Sequence, residues 1–542
     1  MAAIESFPSL TVVAIDGFLK KKPVLLNMDT ASGRICQQID GGNVEAMDVS
    51  AAFRVKNAPN VKVIMNVKGK SKEVEYRFAS DKLAEQAYLG FQAALNLREV
   101  EGYSPRPLSV FVGTMNMGDA ACTDDLEPWI PRNTYDVYAI GVQECEYKPA
   151  NGGKTEAHWF SQVETHLGSG YVRVSGGSLW SIRIIVLIRA ELREFLSDVA
   201  INSEATGIGH VAGNKGGIGI SFSLGDSSFF FVTSHLAAHQ GEVAKRNADF
   251  SEIIQGLSKL SVRNVDVTSL YDHVFWFGDL NYRIDLERDA VLAAVEAGNL
   301  DEILAADQLA AEMAAGNVFV GFSEAPISFT PTYKFDRGCR EYTTTKMRVP
   351  SYTDRILWKT APHIELSATA YDAAHDITTS DHSPVWAAFD TQMLLPFRSA
   401  VWDEAFDSRG IVRIRNLCGD NLRSMDLNGY SDPYVIFFGR AVDSIQTPTI
   451  KKTLHPTWAD NPDEPFNMSL VINEPDYIEH QSIIALVMDE DKMSKDDPLG
   501  QAWIPLAPGI GGPHEFTVQL TANGRPAGSL SGTIEVDLDA MV

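Results

Sequence analysis

Four short apolar runs in the middle of the chain predict strands that are buried on both faces. They are Leu108–Met115, Tyr135–Val142, Phe229–Ser234 and His273–Gly278. Helical patterns alternate with these runs, as at Glu242–Leu257. This alternation predicts an α/β domain over residues 105–392. Each strand ends near a polar or basic residue, at the sheet edge where α/β folds place their sites.

The two ends of the chain have different patterns. Residues 1–98 read as short strands followed by one helix at Asp81–Asn96, and this order resembles a pleckstrin-homology (PH) domain, a β-barrel plus helix. A small capping or interaction domain is the alternative. The apolar pattern breaks between residues 392 and 410, and Ile411 then begins a series of strands that ends with Gly532–Leu538. Residues 411–540 are therefore predicted to form an all-β sandwich.

Composition narrows the classes of partner. The 542 residues include 46 basic and 71 acidic ones, a net charge of −25, which disfavours nucleic acid as the main partner. The cysteines are five in number and widely scattered, which is typical of a reducing compartment. The first ten residues lack the basic start and apolar core of a signal peptide. We expect a cytoplasmic protein whose contact with the cytosolic membrane face is peripheral.

The polar residues at the strand ends supply the parts of metal-assisted phosphate hydrolysis. Asn116 and Glu144 offer the oxygen ligands that magnesium prefers. Further acids and histidines follow the later strands, enough for a base and for phosphate contacts. A cysteine-nucleophile phosphatase needs an arginine six positions after its cysteine, and none of the five cysteines has one. The sequence therefore predicts direct transfer of the phosphoryl group to water.

These residues, in their order, resemble the signature set of the DNase I-like phosphoesterases, whose fold is a four-layer α/β sandwich. The set comprises Asn116, Glu144, His235, Gly278–Asn281, Asp354 and Ser380–His382. Three segments resemble one branch, the inositol polyphosphate 5-phosphatases, and they are His210–Gly217, Gly278–Arg283 and Pro331–Lys334 through Pro350–Trp358. Any one motif alone is weak evidence, but six or more motifs in the right order make a chance resemblance very improbable.

The resemblance implies a role for each of these residues. Glu144, helped by Asn116, would hold one Mg²⁺ against the 5-phosphate. Asp279 would orient and deprotonate the attacking water, and Asn281 would donate a hydrogen bond to the phosphoryl oxygens.

The resemblance also implies how the phosphate is held. His382, paired with Asp354, would act on the phosphate as a cation. His235 would contact the phosphate, and Asp381 would lie in the second shell of the metal or the water.

Substrate recognition is implied for a second group of residues. Tyr333, Lys334, Lys346 and Arg348 match family positions that meet the 4-phosphate of the ring, and their three cations suit a polyanion. A solvated basic loop is the alternative. Asn214 and Lys215, in a glycine-rich loop, would approach the ring or its 1-phosphate.

The third region resembles a C2 domain, on Met425–Tyr434, Lys451–Trp458 and Met488–Gly500. Five of its acids stand where calcium-binding C2 domains carry their ligands, and they are Asp426, Asp432, Asp489, Asp491 and Asp497. Ca²⁺ takes six to eight oxygen ligands, so a cluster of acids on facing loops suits it. A filled site would let the loops meet anionic lipid. A rigid scaffold without calcium is the alternative.

The first region lacks the basic pair of a headgroup-binding PH domain, because Arg34 is followed by Cys36 where a second cation is expected.

Three functions are compatible with these sequence features. The first is a phosphatase acting on the 5-phosphate of 3,4,5-trisphosphate or 4,5-bisphosphate phosphoinositides at an anionic membrane, or mainly on soluble inositol polyphosphates. The second is the same fold acting on nucleic acid or sphingomyelin, which the net charge and the basic cluster disfavour. The third is a calcium-dependent membrane adaptor with an inactive phosphatase fold, which the presence of Asp279, His382 and Glu144 disfavours.

Overall fold

The computed structural model describes most of the chain after residue 104. The described ranges are 105–150, 152–206, 214–258, 265–394, 409–425, 429–458, 466–470, 475–491 and 496–541, with the backbone of six strands between residues 10 and 77. Those six strands are β1 (Leu10–Ile15), β2 (Lys22–Asp29), β3 (Arg34–Ile39), β4 (Val44–Arg54), β5 (Asn60–Val67) and β6 (Lys70–Arg77). They pair in sequence order, and β1 pairs with β6 to close a barrel. The helix predicted at Asp81–Asn96 lies outside the described residues.

The middle of the chain contains two sheets. Their strands are β7 (Arg106–Asn116), β8 (Val137–Gln143), β9 (Tyr171–Leu179), β10 (Ile182–Arg189), β11 (Leu196–Ala205), β12 (Gly216–Leu224), β13 (Ser227–His235), β14 (His273–Asp279), β15 (Asp354–Thr360), β16 (Ser367–Ala373) and β17 (Val385–Met393). The first sheet has the order β16-β17-β7-β8-β10-β9, and the second has the order β11-β12-β13-β14-β15. The α/β prediction for this region is confirmed.

A helix packs on the outer face of each sheet, and further helices follow β14. They are α1 (Thr155–Leu167), α2 (Val243–Leu257), α3 (Arg288–Ala297), α4 (Leu300–Leu304) and α5 (Gln308–Ala314). One apolar core lies between the sheets, with Val112 and Ile184 from the first and Phe231 and Phe275 from the second. A second core packs α1 on the first sheet, and a third packs α2 on the second. The four layers of the predicted α/β sandwich, in the order helix, sheet, sheet and helix, are therefore present.

The strands end where their buried runs end, which places polar residues at one edge. In β8, β13 and β14 every residue is buried, since each strand is covered on both faces. The parallel neighbours β7 and β8 end together, with Asn116 opposite Gln143. In the second sheet β13 and β14 are also parallel, and they end with His235 opposite Asp279.

The last region is all β. Its strands are β18 (Arg409–Asp420), β19 (Pro433–Phe438), β20 (Ile445–Gln446), β21 (Phe466–Ser469), β22 (Ser482–Asp489), β23 (Asp497–Pro505), β24 (His514–Ala522) and β25 (Arg525–Met541), with the short helix α6 (Pro475–Ile478). They are hydrogen-bonded in the order β20-β19-β22-β23-β24-β25-β18-β21. Side chains from both halves of this order share one core, for example Val435 and Leu530. The predicted β-sandwich is confirmed.

This β-sandwich packs directly on the α/β region. The backbone of Asp266 exchanges two hydrogen bonds with the side chain of Gln501, at 2.8 and 3.1 Å. The Asp266 carboxylate also accepts from the backbone N–H of Gly524, at 2.9 Å, in the turn between β24 and β25. Val265 also belongs to an apolar cluster with Tyr434, Leu486 and Met488 of the β-sandwich. No helix in the described ranges combines the length and the apolar character needed to cross a bilayer.

Candidate active site

The register of the second sheet aligns three of the predicted site residues. Across β13, β14 and β15, His235 lies opposite Asp279, and Asp279 lies opposite Asp354. The first sheet contributes Asn116 at the end of β7, and Glu144 follows β8 directly. Two facing sheets thus bring residues that are up to 238 positions apart to one edge of the domain.

Asp279 contacts two other residues of this group, Asn116 and His235. Its Oδ2 accepts from Asn116 Nδ2 at 2.9 Å and lies 3.2 Å from His235 Nε2, and the side chain is buried. Burial opposes its ionisation, but the contact with His235 and the charges of His382 and Lys215 outweigh burial and hold the pKa of Asp279 well below its ordinary range. Asp279 is therefore ionised at neutral pH, which suits a group that accepts a hydrogen bond from water.

His382 and Asp354 form a second buried unit. His382 Nδ1 lies 2.9 Å from Asp354 Oδ2, and the hydroxyls of Thr332 and Thr353 donate to the same oxygen, each at 2.9 Å. Burial disfavours the charged imidazole, but Asp354, Asp279 and Asp381 together raise the pKa of His382 to about 9. The imidazole is consequently a cation at neutral pH, and its contact with Asp354 leaves Nε2 to carry the other proton.

The donors at the edge of the first sheet fit a hard divalent cation. Asn116 Oδ1 accepts one hydrogen bond, from the backbone N–H of Gly118 at 2.9 Å, and an amide oxygen has a second lone pair. The partly exposed carboxylate of Glu144 makes no hydrogen bond or ion pair within the part of the chain that the structure describes. Two oxygen donors with open sites for water and phosphate are the set that Mg²⁺ accepts.

A tight cluster formed by Asp279, Asp354 and His382 is a second place to look for a metal. Their potential ligand atoms all lie within 4.8 Å of one another. However, Asp354 Oδ2 and His382 Nδ1 already bind each other, and His382 is cationic. A protonated imidazole cannot bind a metal, so this cluster fits proton and phosphate chemistry better than a metal site.

Asn281 lies two residues beyond Asp279 and is held from three sides. Its backbone N–H donates to Asp279 Oδ1 at 3.1 Å, and its Nδ2 donates to the carbonyl of Leu236 at 3.1 Å. Arg283 donates to Asn281 Oδ1. One hydrogen of the Asn281 amide remains for a phosphoryl oxygen, as the predicted role requires.

Lys215 lies closer to the catalytic group than its predicted role implied. Its Nζ contacts Nε2 of His235, and burial lowers the pKa of the Lys215 ammonium. Burial and the Lys215 charge also lower the pKa of His235. His235 is almost fully buried beside Asp279, and its contact with phosphate stays a prediction. Asn214 is exposed next to Lys215, and residues 207–213 of its loop lie outside the described ranges.

Tyr333 and Lys334, which are predicted to bind substrate, contact residues of the Ser380–His382 motif. The rings of Tyr333 and His382 have centroids 4.5 Å apart, and the guanidinium of Arg283 lies 4.5 Å from the Tyr333 centroid. Lys334 Nζ binds the carboxylate of Asp381. Burial raises the pKa of Asp381, but His382, Lys334 and Arg337 more than offset this and lower it.

Lys346 and Arg348 lie on a loop that begins and ends beside Tyr333 and Lys334. The N–H of Thr343 donates to Lys334 O at 2.9 Å, and the N–H of Ser351 donates to Tyr333 O at 2.8 Å. Lys346 is exposed and Arg348 is half-buried. The loop that contains Lys346 and Arg348 is thus hydrogen-bonded at both ends to Tyr333 and Lys334.

The supporting contacts of three residues were not predicted. Thr332 fixes Asp354, and the Ser380 hydroxyl donates to the Asn116 carbonyl at 2.6 Å. Arg337 donates to the carbonyl of Gly118 and lies 3.8 Å from Asp381. Thr332 and Ser380 stand inside the Pro331–Lys334 and Ser380–His382 motifs, so their position there was the available signal. Nothing in the sequence pattern distinguishes Arg337 from its basic neighbours.

The acids proposed for calcium lie at one end of the β-sandwich, except that Asp426 is outside the described residues. The N–H of Asp432 donates to Asp489 Oδ1 at 2.6 Å, and Asp489 faces Asp497 across β22 and β23. Asp491 lies two residues after the end of β22. In the described ranges, which omit residues 426–428 and 492–495, no three of these acids converge on one point. Lys451 Nζ lies 3.2 Å from Asp432 Oδ2.

Comparison with protein families identifies the α/β region. The model described as Endonuclease/Exonuclease/phosphatase family 2 matches residues 113–388, about half of the chain. The chain belongs to this family. All the catalytic and magnesium-binding residues proposed above lie inside the matched range. A C2 domain model matches residues 410–520, which agrees with the β-sandwich that follows.

Several curated relatives of this phosphatase family are similar over most of the chain. Phosphatidylinositol 3,4,5-trisphosphate 5-phosphatase 2A of Danio rerio is 27% identical over 89% of this chain, and the aligned part is 40% of that protein. Phosphatidylinositol 3,4,5-trisphosphate 5-phosphatase 1 of Xenopus laevis is 34% identical over 62% of this chain and 35% of its own length. The chain thus spans well under half of the relatives that it matches.

A solved structure is also similar to this chain. It is the inositol polyphosphate 5-phosphatase domain of SpSynaptojanin, crystallised with inositol (1,4)-bisphosphate and a calcium ion. The two chains are 33% identical, the match covers 57% of this chain and 91% of that one, and the TM-score is 0.49.

Proposed function

We propose that this chain is a magnesium-dependent phosphatase that removes the 5-phosphate from phosphoinositides that also carry a 4-phosphate. Phosphatidylinositol 3,4,5-trisphosphate and 4,5-bisphosphate are the two candidate substrates. One observation carries the proposal: Asn116, Asp279, His235 and the His382–Asp354 pair meet at one edge of two facing sheets. The names of the curated relatives support the same substrate class.

The residues divide the chemistry between them. Glu144 and Asn116 would hold Mg²⁺, which supplies a positive charge that stabilises the phosphate oxygens. Asp279 accepts a hydrogen bond from the attacking water and orients it toward phosphorus, since its carboxylate is fixed by Asn116 and His235. Asp279 is ionised at neutral pH, so it can accept the water's proton as the new phosphorus–oxygen bond forms and the bond from phosphorus to the ring oxygen breaks.

The phosphate itself is met by cations and by an amide. The His382 imidazolium, kept charged by Asp354, pairs with a phosphoryl oxygen, and the free hydrogen of the Asn281 amide donates to another. Asp381 orients Lys334 toward the substrate side through their ion pair. These contacts strengthen as charge accumulates on the transferred group, so they lower the barrier and not only the dissociation constant.

Binding of the ring is proposed for the basic side of the site. Tyr333, Lys334, Lys346 and Arg348 would contact the 4-phosphate. Asn214 and Lys215 would approach the ring or its 1-phosphate. Soluble inositol polyphosphates carry the same ring phosphates and are the second candidate substrate class.

Three regions would serve this function. Residues 105–392 would be the catalytic domain, residues 411–540 a C2 domain and residues 1–98 a PH-like domain, which the closed six-stranded barrel supports. Asp426, Asp432, Asp489, Asp491 and Asp497 would bind Ca²⁺ and bring the protein to the cytosolic face of an anionic membrane. A site in the cytoplasm suits the scattered cysteines.

The test is phosphate release from a panel of lipids and soluble inositol phosphates, with Mg²⁺ and with a chelator. Asp279→Ala should abolish release of the 5-phosphate, and Asp301→Ala, an exposed aspartate on α4, is its matched control. Release from DNA, or equal release by the Asp279→Ala variant, would refute the proposal.

A further inference from the structure

Trp180 is an exposed tryptophan at the edge of the candidate active site. It lies in the tight turn between β9 and β10, and it is 42% exposed although tryptophan is usually buried. The turn lies at the active-site end of the first sheet, because β10 runs antiparallel to β8, whose last residue precedes Glu144.

The turn that displays Trp180 is fixed to the site. The buried guanidinium of Arg183 donates to the carbonyl of Trp180 at 2.9 Å and to that of Cys145 at 2.7 Å. The N–H of Cys145 donates to the carbonyl of Ser181 at 2.9 Å. Cys145 follows Glu144 directly, so Trp180 is anchored by its backbone next to a proposed magnesium ligand. Its exposed ring is therefore displayed by a rigid turn.

A second exposed apolar side chain lies on the opposite flank. Met347 is 58% exposed, in the loop between Thr343 and Ser351 that begins and ends beside Tyr333 and Lys334. This loop precedes β15, at the far edge of the second sheet, whereas Trp180 is beside β9, at the far edge of the first. Because β9 packs against β11 and β15 packs against β17, the two side chains flank the site from opposite sides.

The charge around Met347 is opposite in sign to that of the whole chain. From Lys334 to Arg348 there are five basic residues and two acidic ones, a local net charge of +3 in a chain of net charge −25. Lys346 and Arg348 are the sequence neighbours of Met347. A basic segment with an exposed apolar tip matches an anionic bilayer, which attracts lysine and arginine and accepts apolar side chains at its interface.

We propose that Trp180 and Met347 are two membrane contacts of the active-site mouth, which insert into the interfacial layer of an anionic bilayer on either side of a lipid headgroup. This inference rests on the proposed function and makes it specific for membrane-embedded substrate. Tryptophan suits this depth because its ring is apolar and its indole N–H remains hydrogen-bonded to headgroups or water. A headgroup between the two contacts would be presented to Asp279 without leaving the bilayer.

The first experiment compares vesicle-embedded with soluble substrate, using the whole chain. The variant carries Trp180→Ala and Met347→Ala, and the vesicles are phosphatidylcholine with phosphatidylserine and the candidate lipid substrate. We expect about tenfold lower binding and kcat/KM on vesicles, since two apolar contacts are lost. Release from soluble inositol 1,4,5-trisphosphate should stay at the wild-type level. Val199→Ala is the matched control, because Val199 is 41% exposed at the start of β11, away from the mouth.

The second experiment needs no catalysis. Brominated lipids in the vesicles quench tryptophan fluorescence at the interface, and the wild type should lose more signal than Trp180→Phe, in which the other eight of nine tryptophans remain. Equal quenching of the two proteins would overturn the inference, as would equal loss of activity on vesicles and on soluble substrate. A wild type that releases no phosphate from either substrate would refute the proposed function, and the quenching difference would still decide the membrane contact.

Discussion

His382 Nδ1 lies 2.9 Å from Asp354 Oδ2, and both side chains are buried. This contact ties the protonation of the imidazole to one carboxylate. His382 keeps its proton to about pH 9, well above the ordinary histidine range, because Asp354 and its acidic neighbours outweigh the cost of burial. The imidazole of His382 therefore stays a cation over the whole physiological pH range.

Asp354→Asn should move the alkaline limb of the pH–rate profile. Removing the carboxylate lowers the pKa of His382, so the limb should fall from about pH 9 by about two units, in the direction of lower pH. Measurement of kcat/KM from about pH 5 to about pH 10, on both sides of the ordinary histidine pKa, gives the profile. Asp376→Asn, at an exposed aspartate nearby, should keep the wild-type limb.

The same shift makes a prediction for stability. A raised pKa in the folded state stabilises the protein below the unfolded pKa, near 6.5, and this contribution is lost as pH rises toward 9. The difference in unfolding free energy between wild type and Asp354→Asn should therefore shrink between these two values. A difference that grows over this window would contradict the assigned pairing.

Glu144→Gln should weaken magnesium binding without unfolding the protein. The change removes the negative charge of a proposed ligand whose carboxylate has no competing ion pair in the described ranges, and we expect at least about tenfold weaker binding. The measurements are calorimetric titration with Mg²⁺ and the magnesium dependence of phosphate release. Glu146→Gln is the matched control, two residues away, with a carboxylate that is 66% exposed and pairs with Arg183 at 3.2 Å. Equal magnesium affinity of the two variants would argue against Glu144 as a ligand.

Lys334→Met should affect substrates according to their 4-phosphate. The loss of a charge-assisted contact should lower kcat/KM by about 10–100-fold for a substrate that carries a 4-phosphate. The loss should be much smaller for an inositol phosphate without that group. Lys154→Met, at an exposed lysine before α1, tests for a general effect of charge. A uniform loss on both substrates would assign Lys334 to the support of Asp381 instead.

The sequence predicted the strands that carry the site because these strands are buried on both faces. Their continuous apolar runs predicted strands. Each predicted strand ends within two residues of the strand in the structure, as at Asn116 and Asp279. The sheet register that places His235, Asp279 and Asp354 in one row is a property of strand pairing. Periodicity along a single strand contains no information about its neighbour.

The side-chain contacts were harder to predict than the strands. Lys215 and Arg337 are long, flexible cations, and their partners, His235 and the Gly118 carbonyl, come from distant parts of the chain. The sequence motif identified Lys215 as a candidate site residue, but it did not predict that the Lys215 side chain contacts His235. The domain boundaries and the calcium site stay predictions, since residues 78–104 and Asp426 lie outside the described ranges. The role of each catalytic residue also stays a prediction.

Asp307→Ala should lower the free energy of unfolding strongly. Arg355 is buried and binds both oxygens of Asp307, at 3.0 and 2.9 Å, and it also binds Glu324. Loss of one partner of a buried ion pair costs about 3–5 kcal/mol. Here the buried Arg355 would keep only Glu324 as a counter-charge, with no water in place of Asp307. Denaturant titration measures the change, and Asp301→Ala, at an exposed aspartate, should change stability by less than about 0.5 kcal/mol. A small effect of Asp307→Ala would show that water reaches Arg355 in solution.

Gly524→Ala should weaken the contact between the C2 domain and the phosphatase domain. Gly524 has a φ of +69°, and an added Cβ would lie 2.4 Å from the ring of Phe250, on α2. The turn must therefore move away, which also stretches the hydrogen bond from its N–H to Asp266. We expect a loss of about 1–3 kcal/mol and earlier unfolding of the C2 domain, seen by calorimetry and limited proteolysis.

Gly511→Ala separates the two causes of that loss. Gly511 lies in the same C2 domain with a φ of +84°, and no atom lies within 4 Å of its added Cβ, so only the backbone cost applies. The difference between the two variants thus measures the contact with Phe250. If both lose the same stability, the turn does not pack on α2 in solution. If only Gly524→Ala also slows phosphate release, the packing of the C2 domain supports the catalytic edge, because α2 contributes Asp249, which accepts from the N–H of Ala237 at 2.9 Å, beside the Leu236 carbonyl that holds Asn281.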